Sequence, residues 1–328
     1  MTTKLRIGSF NLENLALAPA DGVTFEDRMK ALRPHLQRMC ADILCLQEIN
    51  AKGDHGHTRS LGALDQLLAD TPYASFNRAV TTNEAGDKPR DVHNLVILSR
   101  FPITEFSQIH HHLVQPPALR PVTAKPLPNE PQSVTWDRPI LHATIRIGER
   151  VLHVFNLHLR APLAALIPGQ KLAPFVWAST EGWAEGYFLA DVKRAGQAFE
   201  TRLAIDALFE EDESALIAVC GDFNADLTDT PLRMLIADVE DTGNGKLSSR
   251  MLLPLETNIP ESARYTVRHF GRRQMLDHIL VSRALMTEFR GMEIHNELLA
   301  DELIAYATDR RDPDSYHAPI VAGFEWAD

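Results

Sequence analysis

Short apolar runs in this chain keep finishing in one kind of side chain. "KLRIGSFNL" reaches Asn11, "DILCLQEIN" reaches Gln47 and Glu48, and the second arm of "PILHATIRIGERVLHVFNLHL" reaches Asn156 and His158. "SALIAVCGDFNA" ends at Asp222 and Asn224, "RRQMLDHILVS" carries Asp277 and His278, and "SYHAPI" sets His317 just before the last strand-like run. A single polar residue at a strand end means little. Oxygen or imidazole groups at nearly every strand end are the pattern of an open α/β sheet that builds a site along one edge. In "GDFNA", alternation sends Asp222 and Asn224 to one face, and Gly221 permits close backbone approach. Taken alone, that pentapeptide reads as a turn.

Between these runs lie helical patterns. Thr24 with Asp27 three residues later is a weaker capping box, opening a helix toward Met39 that Pro34 should bend. "SLGALDQLLAD" has helical spacing, "HNLVILSRFPI" is a strand closed by Pro102, and Gly148 with Glu149 joins a hairpin. Val192, Ala195, Phe199, Leu203 and Ala207 recur at three- and four-residue steps, which predicts a helix face packed on a sheet.

Two stretches break the rhythm. His110 to Asp137 is proline-rich and predicts an extended loop, and Ala161 to Tyr187 mixes Pro168 and Gly169 with Phe175, Trp177, Trp183 and Tyr187. The 328 residues, 45% of them hydrophobic, supply a sizeable core. A length prior suggests roughly two domains, but no linker separates halves that could each own a core. The expectation is a single domain, 1–328, with loop insertions at about 110–137 and 161–187.

The net charge of -11 argues against holding nucleic acid on a generally basic surface, while a local cation could still draw in phosphate. Cys40, Cys45 and Cys220 read as buried thiols in a reducing compartment. "MTTKLRIGSFNLENLA" lacks a signal-peptide core, and no run nears the roughly 18 apolar residues of a spanning helix. A soluble cytoplasmic protein without stable membrane insertion is expected; the sequence carries no signal for oligomeric state.

Taken in order, "SFNLEN", "LCLQE", "ILSRFPI", "NLHL", "GDFNA", "LDHILVS" and "HAPIV" resemble the endonuclease/exonuclease/phosphatase superfamily, relatives of deoxyribonuclease I, over almost the whole chain. The resemblance implies an α/β fold of the deoxyribonuclease I-like kind: a four-layered α/β sandwich of two mixed β-sheets packed face to face, with helices outside. It also implies a metal-dependent phosphoesterase site at one edge. Attack on an anionic phosphate ester needs its charge repulsion offset, which a hard cation held by oxygens does. Mg²⁺, with Mn²⁺ as the alternative, takes few protein ligands, and Asn11 and Glu48 match that role in the resemblance. Asp222 and Asn224 then orient the attacking water, Asp277 and His317 form a carboxylate–imidazole pair, and His158 donates to a phosphoryl oxygen or the leaving group.

His278, alternating away from Asp277, reads as structural. His110, His111 and His112 cannot face one ion from a strand and read as a solvated loop. The chain departs from the family at Tyr316, where relatives carry Asp before the final His, often as a further metal-side ligand. Asp314 is the alternative carboxylate. The expected function is Mg²⁺-dependent hydrolysis of phosphate esters, of the phosphodiesterase or nuclease-like kind, on nucleic acid or on a small molecule or lipid head group. The alternative is a binding or regulatory protein of the same fold with impaired catalysis.

Overall fold

The apolar runs become two six-stranded sheets. A computed structural model describes residues 2–18, 22–51, 59–302 and 312–327. From edge to edge the first sheet runs Phe289–Ile294, Ile320–Ala327, Thr2–Leu15, Ile43–Ile49, Asn94–Ser99 and Asn77–Val80. The second runs Leu252–Pro254, Asp277–Ser282, Leu216–Asp222, Arg150–His158, Ile140–Ile147 and Ile103–Ile109. Both are mixed. Thr2–Leu15 pairs in parallel with Ile43–Ile49, and Arg150–His158 with Leu216–Asp222; the other pairings are antiparallel.

Three apolar layers separate the elements. Between the sheets, Leu5, Ile7, Ile43 and Ile97 meet Leu141, Val154, Ala218 and Ile279. The far face of the first sheet packs Phe10, Leu44 and Leu46 against helices α1 (Phe25–Met39) and α2 (Gly62–Leu68). The far face of the second packs Phe155, Leu157 and Val219 against α3 (Thr180–Glu211) and α4 (Thr230–Ile236). Helix, sheet, sheet, helix is the four-layered sandwich that the resemblance implied. Each fully buried Leu, Ile or Phe in these layers contributes about 1.5–3 kcal/mol through burial.

The Thr24 cap is present: its Oγ1 accepts the Asp27 N–H at 3.1 Å, and α1 continues through Pro34 to Met39. Helix α3 is rotated from the expected face. Phe199 and Ala207 are exposed, while Arg194, Gln197, Thr201, Arg202, Ile205 and Phe209 are buried. The apolar spacing was misleading because the inner face carries polar groups that bond the body: Arg194 Nη1 donates to the Asn224 carbonyl at 2.9 Å, and Arg202 Nη1 to that of Leu235 at 3.0 Å. Cys45 and Cys220 are buried free thiols, but Cys40 is exposed at the left-handed C-cap of α1.

The proline-rich stretch is pinned to α3. Glu200 accepts the N–H groups of His111 and Leu113 and the indole N–H of Trp136 at 2.7–3.1 Å, and Trp136 lies over Gly196. His110 and His111 are therefore packed against Trp136 rather than solvated; His112 is exposed.

Gly221 has φ +142°, and a Cβ there would lie 2.0 Å from the Leu157 carbonyl oxygen on the neighbouring strand. Backbone strain and the clash add, so Gly221→Ala is expected to destabilise the fold by about 3 kcal/mol. Urea unfolding reads this directly; an unchanged midpoint would contradict it.

A second prediction concerns acid. His142 stacks on Phe155 at 4.3 Å and faces His153 Nδ1 at 3.2 Å. Burial first, and then the His153 imidazole, depress His142 from 6.5 to about 4. The unfolded chain therefore binds this proton more readily across that window, so the contribution is whole above about pH 6.5 and is lost as pH falls toward 4. Between pH 7.5 and 5 the protein should lose about 2 kcal/mol more than His142→Phe. Equal losses in paired urea titrations would refute the assignment.

Candidate active site

Strand register assembles the centre. Asp222 is the cross-strand partner of His158 on one side and of Asp277 on the other, so three functional groups stand in a row at one edge of the second sheet. Across the interface, Asn11 and Gln47 are partners in the first sheet. Asp277 and His278 begin their strand rather than end it; because that strand is antiparallel to Leu216–Asp222, its start lies at the same edge.

Glu48 reaches the site by a backbone irregularity. Strict alternation would send it away from Gln47, but it has φ +61°, and the pairing register shifts between Leu46 and Ile49. Its Oε2 accepts the Asn14 N–H at 3.0 Å, and its Oε1 accepts from Asn11 Nδ2 at 3.1 Å. The same Asn11 Nδ2 donates to Asp222 Oδ2 at 3.0 Å, while Asn11 Oδ1 accepts the Glu13 N–H at 2.8 Å. Asn11 thus turns N–H, rather than oxygen, toward both carboxylates.

Asp222 is buried and also accepts from the backbone N–H and Nδ2 of Asn224, at 2.9 and 3.0 Å. Asn224 does this from a left-handed backbone with φ +48°, and its Nδ2 also donates to the Leu159 carbonyl. Burial, with the like charges of Asp277 and Glu48, raises the Asp222 carboxyl to about 7 against the pull of His317. His317 Nδ1 bonds Asp277 Oδ2 at 2.8 Å, and its Nε2 lies 3.9 Å from Asp222 Oδ2. Burial opposes the imidazolium, yet the Asp277 and Asp222 carboxylates outweigh it and hold His317 well above its ordinary range.

His158 Nε2 lies 3.4 Å from Asp222 Oδ2 and 3.6 Å from Glu48 Oε1. Burial, then the charges of Arg138, His93 and His317, push it well below its ordinary range, so it is neutral. The seven residues singled out from the sequence, Asn11, Glu48, His158, Asp222, Asn224, Asp277 and His317, therefore share one edge.

Two neighbours carried no sequence signal that was used. Arg138 Nη2 donates to His93 Nδ1 at 3.1 Å and pairs with no carboxylate among the described residues. Its Nε is buried without a partner among them. His93 Nδ1 therefore accepts, which leaves its Nε2 to donate to Asn14 Oδ1 at 3.0 Å. Each residue lies just before a strand, Ile140–Ile147 and Asn94–Ser99, that runs antiparallel to a site-bearing strand.

Gln47 and Asn156 do not face the centre but bond each other beneath it, Nε2 to Oδ1 at 2.7 Å. His278 is structural: Nδ1 pairs with buried Glu256, and Nε2 bonds the Ala225 carbonyl. Asp314 does not stand in for the missing family carboxylate; its Oδ2 bonds His35 Nε2 at 2.8 Å. The Tyr316 ring is buried, and its hydroxyl accepts the Asp312 N–H at 3.4 Å.

The donors present suit a divalent cation. Glu48, His158 and Asp222 each offer a ligand atom within 4.8 Å of the others, as do Asp222, Asp277 and His317. Asp277 Oδ1 is buried without a hydrogen-bond partner among the described residues. Crowded, mainly carboxylate oxygens fit a hard ion, whose charge would relieve the repulsion that raises Asp222.

The Endonuclease/Exonuclease/phosphatase family model matches residues 8–301. No curated protein matches the sequence. An endonuclease/exonuclease/phosphatase family protein from Bacteroides thetaiotaomicron is 15% identical with a TM-score of 0.58, over 100% of this chain and 96% of that one. The mannosyl-6-phosphatase of the same organism is 16% identical with a TM-score of 0.58, over 97% and 98%. Danio rerio (D. rerio) TDP2 complexed with single strand DNA product is 17% identical with a TM-score of 0.53, over 98% and 99%. At these identities the structures speak for the fold alone, whereas the family match spans most of the length: the chain belongs to the endonuclease/exonuclease/phosphatase family.

Proposed function

We propose that this protein hydrolyses phosphate esters with the help of a divalent cation, Mg²⁺ first and Mn²⁺ as the alternative. The observation that carries the reading is the row His158, Asp222 and Asp277, set by strand register and facing Asn11 and Glu48 across the sheet interface. Glu48 would hold the ion, with Asn11 clamping its carboxylate; ligation by Asn11's own oxygen would need the carboxamide to turn over and release the Glu13 N–H. When bound, such an ion offsets phosphate charge and polarises the P–O bond.

The remaining steps belong to side chains. Asp222, fixed by Asn11 and Asn224, takes the proton of the attacking water. His317, cationic and oriented by Asp277, and neutral His158 donate N–H to phosphoryl or leaving-group oxygens. Arg138, with no carboxylate partner among the described residues, receives the phosphate charge. The named neighbours support phosphate chemistry of this kind, one being a phosphatase of phosphorylated mannose and another being bound to a DNA product. Unpaired thiols favour a cytoplasmic setting; no helix among the described residues is long and apolar enough to cross a membrane.

A binding or regulatory role is the second reading, favoured by Tyr316 in place of the family carboxylate. Release of p-nitrophenolate from bis(p-nitrophenyl) phosphate with Mg²⁺ or Mn²⁺, abolished by EDTA, separates the two. On the hydrolase reading, Glu48→Gln lowers kcat/KM at least about a hundredfold with the unfolding transition preserved. Full turnover with an unchanged Mg²⁺ dependence would remove Glu48 from the metal site. Arg138→Ala should lower kcat/KM about 10- to 100-fold, mainly through KM, with partial rescue by Arg138→Lys. An unaltered KM would mean that Arg138 does not meet the substrate.

A further inference from the structure

A cavity of about 340 Å³ lies between the two insertions and α3. Leu119, Val134, Leu166 and Leu189 give it an apolar side, and Gln132, Ser133, Arg160 and Lys193 a polar one. The insertions that enclose it are joined: Glu185 accepts the N–H groups of Val122 and Thr123 at 2.6 and 2.8 Å, and the Lys125 N–H bonds the Pro168 carbonyl. The space is therefore built by specific bonds rather than left between loose loops.

Two of its lining residues stand close in the chain to groups of the candidate centre. Arg160 follows His158 by two residues, a Cα separation of at most about 7 Å. Between them, the Leu159 carbonyl accepts from both Asn224 and Arg138. Lys193 precedes Arg194, whose Nη1 bonds the Asn224 carbonyl at 2.9 Å. Arg160 and Lys193 share one carboxylate, Asp137.

We infer that the cavity is a substrate subsite that receives a hydrophobic ester group of a phosphodiester whose phosphorus lies at the His158–Asp222 centre. This rests on the phosphoesterase reading above and names a substrate class for it. The organic arm fills the space beside Leu119, Val134, Leu166 and Leu189, while the phosphate charge stays at the centre with Arg138. Leu166, 69% exposed in the free protein, is covered when the arm enters. At roughly 30 Å³ for a water-sized group, the cavity holds about ten methylene-sized groups.

The test uses alkyl methyl phosphate diesters, methyl to dodecyl, below their micelle concentrations. Each competes against bis(p-nitrophenyl) phosphate with Mg²⁺, and calorimetry measures its binding to the full chain. The inhibition constant should fall about two- to fourfold per methylene and level off near ten carbons. Leu166→Asp should flatten that dependence. A flat series in the wild type, with turnover intact, overturns the subsite and leaves the hydrolase reading standing. A dependence that survives both Leu166→Asp and Leu189→Asp places the alkyl arm elsewhere and also overturns it. Chain-length-dependent binding, lost in Leu166→Asp, by a protein that cleaves neither bis(p-nitrophenyl) phosphate nor p-nitrophenyl phosphate with either ion supports the subsite and overturns the hydrolase reading instead.

Discussion

Asn156 fixes how the two sheets face each other. Fully buried on the second sheet, it donates to the Leu46 and Val96 carbonyls of the first at 2.9 and 3.0 Å, and its Oδ1 accepts from Gln47. An apolar interface alone tolerates sliding, since burial is non-directional. Three directional bonds at low dielectric do not, because slippage would leave buried amides and carbonyls unpaired. Two residues beyond Asn156 stands His158, and the residue next to Gln47 is Glu48. The contact of Asn11 with Asp222 and the 3.6 Å approach of His158 to Glu48 both cross the same interface. The amide bridge is thus the footing of the site rather than part of its chemistry.

Above that footing the molecule accepts strain and charge crowding together. Glu13, Asn14, Glu48, His93 and Asn224, all at this edge, have non-glycine left-handed backbones with φ between 47° and 61°. Such conformations cost of order 1 kcal/mol or more each and persist where surrounding structure over-determines them. Their effect is visible: Glu48 turns inward against alternation, and Asn224 folds back onto Asp222. Three carboxylates gathered with His317 and Arg138 are costly in an empty centre and well suited to one holding a cation and a phosphate.

The sheets were legible because apolar runs separated by turn residues are a strong signal, and their polar ends marked the edge that matters. The weakness lay in reading ends alone. In a mixed sheet, the start of an antiparallel strand shares an edge with the end of its neighbour. Arg138 and His93 sit at such starts, so they escaped notice although "DRPI" and "VHNL" display them. Asp277 stood out among the polar residues of these runs although it stands at a start, and its pairing with His317 came from the family resemblance. The α3 face was misjudged for another reason: periodicity counts apolar residues, while Arg194 and Arg202 are buried through hydrogen bonds to distant segments that no local pattern reveals.

The same distinction bears on Tyr316. A family motif predicts a carboxylate's position, but whether a neighbour replaces it depends on what else that neighbour can bond. Asp314 lies two residues away, yet α1 presents His35 to it, and its other oxygen accepts the Ser315 N–H. Meanwhile Ser315 Oγ donates to the Asn11 carbonyl, and the Tyr316 N–H donates to Glu13 Oε2. The segment before His317 is thus tied by its main chain and small hydroxyl to the strand that carries Asn11. His317 keeps its place through those bonds and through Asp277. Loss of a carboxylate there can alter how charge is balanced at the centre without moving the imidazole, which is why the Asp277–His317 pair survives the substitution geometrically intact.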